Sequence, residues 1–165
     1  MRHALTPATA VDLSAVVALR NAVASQLTSR YGIGHWSSTA TETRLRRAMG
    51  RSSVYVLKHR GRVIATLALQ TRKPRVIDRT YFTPVKRPLY LIDMAVDPAR
   101  QRCGIGRRCL ADAVRMCKAW PADALCLDAY DADAGAGGFY RKCGFTEVGR
   151  TAYRNTPLIY YERLV

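Results

Sequence analysis

The feature that most constrains this chain is a strand that runs into a glycine-punctuated loop and then into a helix. Leu91-Ile92-Asp93-Met94-Ala95-Val96 reads as the end of a strong strand, Asp97-Pro98 stops it, and Gly104 and Gly106 open a helical stretch. The first backbone N–H groups of a helix lack an intrahelical partner and lie at the positive end of its dipole. Glycine lets the loop curl and lets an anion approach the backbone closely. Gln101, Arg102, Arg107 and Arg108 add donors and charge around that point. Two common nucleotide motifs do not fit. A dinucleotide fingerprint requires a third small residue where Cys109 stands, and a P-loop requires Gly-Lys-Ser/Thr where Gly106 is followed by Arg107-Arg108. Taken alone, Gly104-x-Gly106 is equally compatible with a structural turn between strand and helix.

The remaining sequence narrows the setting. With 165 residues and 48% hydrophobic content, the chain has the size and composition of one domain with a real core, so a single domain over residues 1–165 is expected. No apolar run reaches the roughly 20 residues of a membrane span, and the N-terminus lacks a signal-like apolar stretch, so a cytoplasmic protein with no membrane partner is expected. Five cysteines without C-x-x-C spacing and three scattered histidines give no metal-ligand pattern. The cysteines read as reduced thiols, with Cys117 and Cys126 as small core residues. The net charge of +15 admits a nucleic-acid surface or a solvated basic surface that attracts a small anion. The charge is dispersed and carries no helix-turn-helix or RNA-binding signature, which favours the small anion.

Periodicity divides the chain into alternating elements. A short strand is expected near His3–Leu5. A helix capped by Thr9 follows, with Asp12 in its first turn and Leu13, Val16, Val17, Ala24 and Leu27 on one face; it ends at about Gln26–Ser29. Tyr31 to Trp36 reads as a loop. Thr39-Ala40-Thr41-Glu42 has capping-box form and opens a second helix that stops at Gly50. Ser53–Lys58 and Arg62–Leu69 form a hairpin around Arg60-Gly61. The polar stretch Thr71–Arg87 is a long excursion of the kind that is often functional. Leu89–Val96, a helix over Gly104–Trp120, the strand Ala124–Asp128, a short helix ended by Gly144, and a closing hairpin of Thr146–Val148 with Leu158–Leu164 complete the order βααβββαβαββ. That order predicts an α/β fold with a mixed, mostly antiparallel sheet flanked by helices and a parallel crossover through Gly104–Trp120.

Val96-Asp97-Pro98-Ala99-Arg100-Gln101-Arg102-Cys103-Gly104-Ile105-Gly106 resembles the acetyl-CoA motif of the GNAT acetyltransferases, a Gln/Arg-x-x-Gly-x-Gly/Ala loop between strand and helix. Phe139-Tyr140-Arg141-Lys142-Cys143-Gly144-Phe145 is similar to that family's Phe-Tyr-x-Lys-x-Gly-Phe element, and Leu5 to Leu13 resembles its opening strand and helix. The resemblance covers essentially the whole chain, in order. It implies a GNAT-type fold, acetyl-CoA as co-substrate without a metal, and an N-acetyltransferase acting on an amine of a small molecule or peptide by direct attack on the thioester. It further implies that Met94, Ala95 and Val96 offer backbone groups to the pantetheine arm, and that Gln101, Arg102, Cys103, Gly104, Ile105 and Gly106 meet the pyrophosphate with Arg107 beside them. In the family the sheet splays between the strands Leu89–Val96 and Ala124–Asp128, and the thioester lies in that gap. Phe139 and Tyr140 then belong to the cofactor site, with Tyr140 as general acid to the departing thiolate.

Asp93 is a candidate base. Strand alternation would set it on the same face as Ala95, and a carboxylate on an apolar strand is unusual. Its other reading is a structural hydrogen bond. Asp128 is a second candidate for that task or for holding a cationic acceptor. Tyr31, His35, Trp36, Tyr81 and Phe82 are expected acceptor-site walls, or else simple core cover. Where relatives carry an asparagine after the second parallel strand, this chain has Asp131 to Gly138, in which Asp133 is the candidate substitute although it would set a negative charge near the cofactor. A non-catalytic acyl-CoA-binding module, a basic nucleic-acid-binding protein and a transferase for longer acyl groups remain open at this point. An exposed last strand would offer an edge for a homodimer.

Overall fold

The computed structural model describes residues 4–165. Eleven regular elements follow one another: β1 (Thr6–Pro7), α1 (Leu13–Tyr31), α2 (Glu42–Met49), β2 (Ser53–His59), β3 (Arg62–Gln70), β4 (Pro88–Val96), α3 (Ile105–Ala119), β5 (Ala124–Tyr130), α4 (Gly137–Lys142), β6 (Thr146–Tyr153) and β7 (Thr156–Leu164). Their order is βααβββαβαββ, as the periodicity predicts. The strands form one seven-stranded sheet in the order β1-β2-β3-β4-β5-β7-β6. The β1–β2, β2–β3, β5–β7 and β6–β7 pairs are antiparallel, and β4–β5 is parallel. The fold is thus mixed α/β, with a mostly antiparallel sheet flanked by helices.

The chain divides into two compact units. One takes the residues up to Leu69 together with Asp93–Asp112, and the other takes Gln70–Ile92 with Ala113–Val165.

In the first unit, α1 buries Leu13, Val16 and Leu19, while β2 and β3 bury Val56, Ala65 and Leu67 completely. Each fully buried leucine or valine contributes about 1.5–3 kcal/mol relative to exposure. The helix is entered through a buried carboxylate: Asp12 Oδ2 accepts from Thr9 N at 3.0 Å and from Thr9 Oγ1 at 3.1 Å, and Asp12 Oδ1 pairs with Lys58 Nζ at 2.6 Å. Burial opposes the charge on Asp12, but the hydrogen bonds from Lys58 and Thr9 outweigh it and hold the carboxyl below its ordinary range. α1 extends two residues past the expected end and takes in Tyr31. The cap of α2 is Thr41, whose Oγ1 accepts from Arg44 N at 3.3 Å, rather than Thr39. The two-residue turn Arg60-Gly61 has φ of 48° and 77°, as a tight hairpin needs. The expected first strand begins at His3, which lies outside the described residues; Ala4 and Leu5 precede β1, and Leu5 N donates to the buried Asp112 Oδ2 at 3.1 Å.

In the second unit, Ile77, Phe82, Tyr90, Cys126, Leu158 and Tyr160 form a core. It explains why the long excursion over residues 71–87 is ordered. Tyr160 Oη donates to Val76 O and accepts from Asp78 N at 3.1 Å, and the buried Glu162 accepts from Thr83 N at 2.9 Å and from Thr83 Oγ1. β6 is longer than expected, running on from Val148 to Tyr153, and turns into β7 through Arg154-Asn155 with φ of 48° and 65°. The parallel register of β4 and β5 covers three pairs, Pro88 with Ala124, Leu89 with Leu125 and Tyr90 with Cys126.

Candidate functional site

The first unit carries the glycine-punctuated loop between β4 and α3. β4 ends at Val96, and Asp97 N donates to Ile64 O at 2.9 Å, which ties the exit of the strand to β3. Asp97 Oδ1 accepts from Ala99 N at 3.0 Å and caps a 3-10 turn over Pro98–Arg100. Two left-handed residues then redirect the chain, Arg102 at φ 61° and Gly104 at φ 80°. An arginine in that region is uncommon and costs about 1–2 kcal/mol, so the surrounding geometry must enforce it. α3 starts immediately afterwards, and its first turn closes with Arg108 N donating to Gly104 O at 3.1 Å. The N–H groups of Ile105, Gly106 and Arg107 stand ahead of that bond, the positions where a helix offers donors to an anion. Gln101, Arg102, Cys103, Gly104 and Arg107 are exposed, and Ile105 and Gly106 are half-buried. The Gln101 side chain holds the loop shut at its base, with Nε2 donating to Val96 O at 3.2 Å and to Gln26 Oε1 on α1 at 3.1 Å.

Asp93 departs from expectation. Its φ is 54°, which breaks the strand alternation. Ala95 is buried whereas Asp93 is exposed, so the two do not share an environment. The carboxylate, with half its side-chain surface accessible, receives Arg20 Nη1 at 3.3 Å. It is therefore not a buried carboxylate on an apolar strand. Met94 and Val96 are half-buried. Sequence reasoning overlooked Arg20 and Gln26. A signal existed for the first: Arg20 is the sole charged residue between Leu13 and Ser29, four positions from the buried Val16.

Two expected aromatic walls in this unit are engaged locally. Trp36 Nε1 donates to Gly32 O at 3.0 Å, and its ring lies so close over Gly34 that a Cβ there would fall 2.5 Å from it. Tyr31 is the last residue of α1, with the Arg30 guanidinium over its ring at 5.2 Å. His35 sits in a short 3-10 turn and is exposed.

The second unit gathers the other group. Tyr140 lies on α4, is 8% exposed, and packs its ring against Phe139 at 5.4 Å, Tyr161 at 5.7 Å and Phe145 at 6.0 Å. Burial first, and then the charge of Asp128, push the Tyr140 phenol well above its ordinary value. It therefore stays protonated through the physiological range, as a proton donor must. α4 starts at Gly137, so the two glycines expected in a loop belong to the helix. Gly144, at φ 83°, ends it as expected. Asp128, on β5, stands opposite Tyr160 in the β5–β7 register; Tyr81 and Phe82 pack their rings on Tyr160 at 5.4 and 5.2 Å. Asp133 is exposed in the loop before α4. Cys103, Cys109, Cys117 and Cys126 are free thiols, and the last three are buried.

A family model described as Acetyltransferase (GNAT) family matches residues 19–145. The chain belongs to that family. Acetyl transfer from acetyl-CoA is the family's chemistry, and both the loop Gln101–Gly106 and the Phe139-Tyr140 pair of this GNAT chain lie within the matched span. No curated protein sequence matches the chain. Among solved structures, it is similar to the ribosomal-protein-S18-alanine N-acetyltransferase from Escherichia coli, at 19% identity and a TM-score of 0.71, covering 99% of this chain and 94% of that one. It is similar also to the ribosomal-protein-alanine N-acetyltransferase from Brucella melitensis, at 19% identity and 0.71, covering 98% and 99%. A third is a GCN5-related N-acetyltransferase from Rhodopseudomonas palustris, at 16% identity and 0.74, covering 100% and 97%. At these identities the likeness speaks to the GNAT fold. No helix among the described residues is long and apolar enough to cross a membrane.

Proposed function

We propose that this GNAT protein transfers the acetyl group of acetyl-CoA to a primary amine of a small molecule or peptide. The observation that carries the reading is the loop Gln101–Gly106, exposed over its first four residues, with two left-handed residues delivering the chain into the first turn of α3 inside the span that matches the family. Its amides and the Arg102 and Arg107 side chains suit a pyrophosphate, and the backbone of Met94–Val96 suits the pantetheine arm as an added strand. The names of three similar solved structures, each an N-acetyltransferase, support nitrogen as the acceptor atom.

The reaction is acyl transfer. The neutral amine attacks the thioester carbonyl carbon, the new N–C bond forms, and collapse of the tetrahedral oxyanion breaks the C–S bond. The nitrogen loses a proton to a base, with Asp93 proposed directly or through water. The departing thiolate takes a proton from Tyr140, which regains one from solvent. Asp128 is a second candidate for the cationic acceptor, and Tyr31, Trp36 and Tyr81 for its walls. One domain, acting in the cytoplasm, fits the reading.

The test is to incubate the protein with acetyl-CoA labelled in the acetyl group and a panel of primary amines, and to follow CoA release together with label in an amide product. Amide formation that ceases in Tyr140→Phe supports the assignment. Tight acetyl-CoA binding with no product from any amine, and with Tyr140→Phe indistinguishable from wild type, would instead favour a non-catalytic acyl-CoA binder.

A further inference from the structure

The first unit holds an arginine whose hydrogen-bonding capacity is largely unspent. Arg20 lies on α1 with 17% of its side-chain surface exposed. Nη1 reaches Asp93 at 3.3 Å, while Nε and Nη2 are buried and have no hydrogen-bond partner among the described residues. A guanidinium is always charged and presents five donors in a rigid plane. Nε–H and one Nη2–H point the same way and make its lateral fork, the geometry that receives both oxygens of a carboxylate. Leaving such donors buried and unmade is among the costlier arrangements a protein can hold. An arginine kept there, on a helix that is otherwise uncharged from Leu13 to Ser29, points to a ligand that completes it.

The surroundings say which ligand. Asp93 occupies the Nη1 side, so the lateral fork faces away from that carboxylate and a second anion there escapes direct repulsion. Arg20 is also placed along the proposed cofactor path. Six residues further along α1, about 9 Å at the helical rise, Gln26 meets Gln101 at the base of the glycine-punctuated loop. Asp93 immediately precedes Met94–Val96, the backbone proposed for the pantetheine arm. Arg20 thus stands beside the end of that segment remote from the loop, where the acceptor would approach.

We infer that Arg20 is a specificity-determining residue whose lateral fork binds a carboxylate on the acceptor, so that the preferred acceptors are amines that also carry a carboxylate. This deepens the acetyltransferase reading and rests on it. The fork is shielded, so docking proceeds with local rearrangement of the side chains over it.

The experiment uses the full chain in two arms. Calorimetry, without acetyl-CoA, compares glycine, β-alanine, L-alanine and L-phenylalanine with their carboxamides, on wild type and on Arg20→Met, Arg20→Lys and Arg20→Gln. The second arm measures kcat/KM for the same pairs by CoA release. The expected result is that the acids bind at least about 30-fold more tightly than the amides to wild type, the scale of lost charge-assisted hydrogen bonds. Arg20→Met should abolish that preference in binding, the acids falling to the affinity of their amides, and Arg20→Lys should recover only part of it because an ammonium lacks the fork. Thermal unfolding checks folding: Arg20→Met should melt at or above wild type, since it removes unmet buried donors, whereas an arginine held only for structure would lower the melting temperature. Acids that bind no better than amides, or an acid preference that survives Arg20→Met, overturn the inference. A separate acetyl-CoA titration keeps the two claims apart: a protein that binds acetyl-CoA without preferring acids loses only the Arg20 assignment, whereas one that prefers acids without binding acetyl-CoA loses the acetyltransferase reading.

Discussion

Replacing Tyr140 with phenylalanine removes one oxygen from a ring whose packing stays in place. The ring is 8% exposed and rests on Phe139, Phe145 and Tyr161, contacts that phenylalanine keeps. Truncation to alanine would forfeit them at about 3–5 kcal/mol and confuse folding with chemistry. The hydroxyl alone is worth about 1 kcal/mol to stability, which in a chain of this size shifts the melting temperature by about 2–4 °C at most. A positioned general acid contributes about 10²–10⁴ in rate, or about 3–5 kcal/mol of barrier. Tyr140→Phe should therefore lower kcat at least about 100-fold with KM for acetyl-CoA little changed and the fold intact. The assay is single-turnover CoA release beside a thermal melt. Because burial raises the phenol, its acid form persists through pH 10, and no alkaline limb below that pH should belong to Tyr140. A decrease in kcat of under about 5-fold with an unchanged melt would refute the proton-donor role, and a collapse of the melt would refute the packing argument.

Two further outcomes follow from the packing. Burial is the chief cause that pushes the thiols of Cys109 and Cys126 up to about 12 and that of Cys117 up to about 11. Their folded values exceed the unfolded one, so stability is fully present below pH 8.5 and falls as pH rises beyond it. The loss reaches about 2 kcal/mol per thiol at pH 10. Denaturant unfolding from pH 7 to 10 should register this, with a shallower decline in Cys126→Ala; an identical decline would contradict it. At Gly135 an added Cβ would stand 1.9 Å from Tyr130 O and 3.0 Å from Ala132 O, both backbone atoms, so Gly135→Ala should cost about 1–3 kcal/mol or more and lower the melting temperature by several degrees. An unchanged melt would refute that contact.

The element order was legible because each signal was local and concordant: runs rich in β-branched and aromatic residues in β2 and β3, an apolar run in β4, a helical stripe in α1, and left-handed residues at Gly61, Gly104 and Gly144. The misreadings have definite causes. Thr39 and Thr41 offer the same capping chemistry, and only the helix start chooses between them. Beyond Val148, β6 runs through Gly149, Arg150 and Ala152, which break the apolar alternation because half of that strand faces solvent; Asn155, tolerant of a positive φ, was the turn signal available. At Asp93 the alternation rule fails, since one residue at φ 54° changes the direction of its side chain. Arg20 was visible as a lone charge in a helix, but its unspent donors depend on burial, which spacing alone does not give.

Titration of the protein with acetyl-CoA by calorimetry, beside desulfo-CoA and NAD and with Gly104→Glu as the variant, tests the central claim most directly. A Cβ at Gly104 meets nothing within 4 Å, so the substitution costs about 1–2 kcal/mol of backbone strain at φ 80° and sets a negative charge on the loop. Micromolar binding of acetyl-CoA, none of NAD, and loss of acetyl-CoA binding in a Gly104→Glu protein that still melts cooperatively is the predicted result. No binding of acetyl-CoA to the wild-type chain, or equal binding to both proteins, would contradict the assignment of the loop Gln101–Gly106.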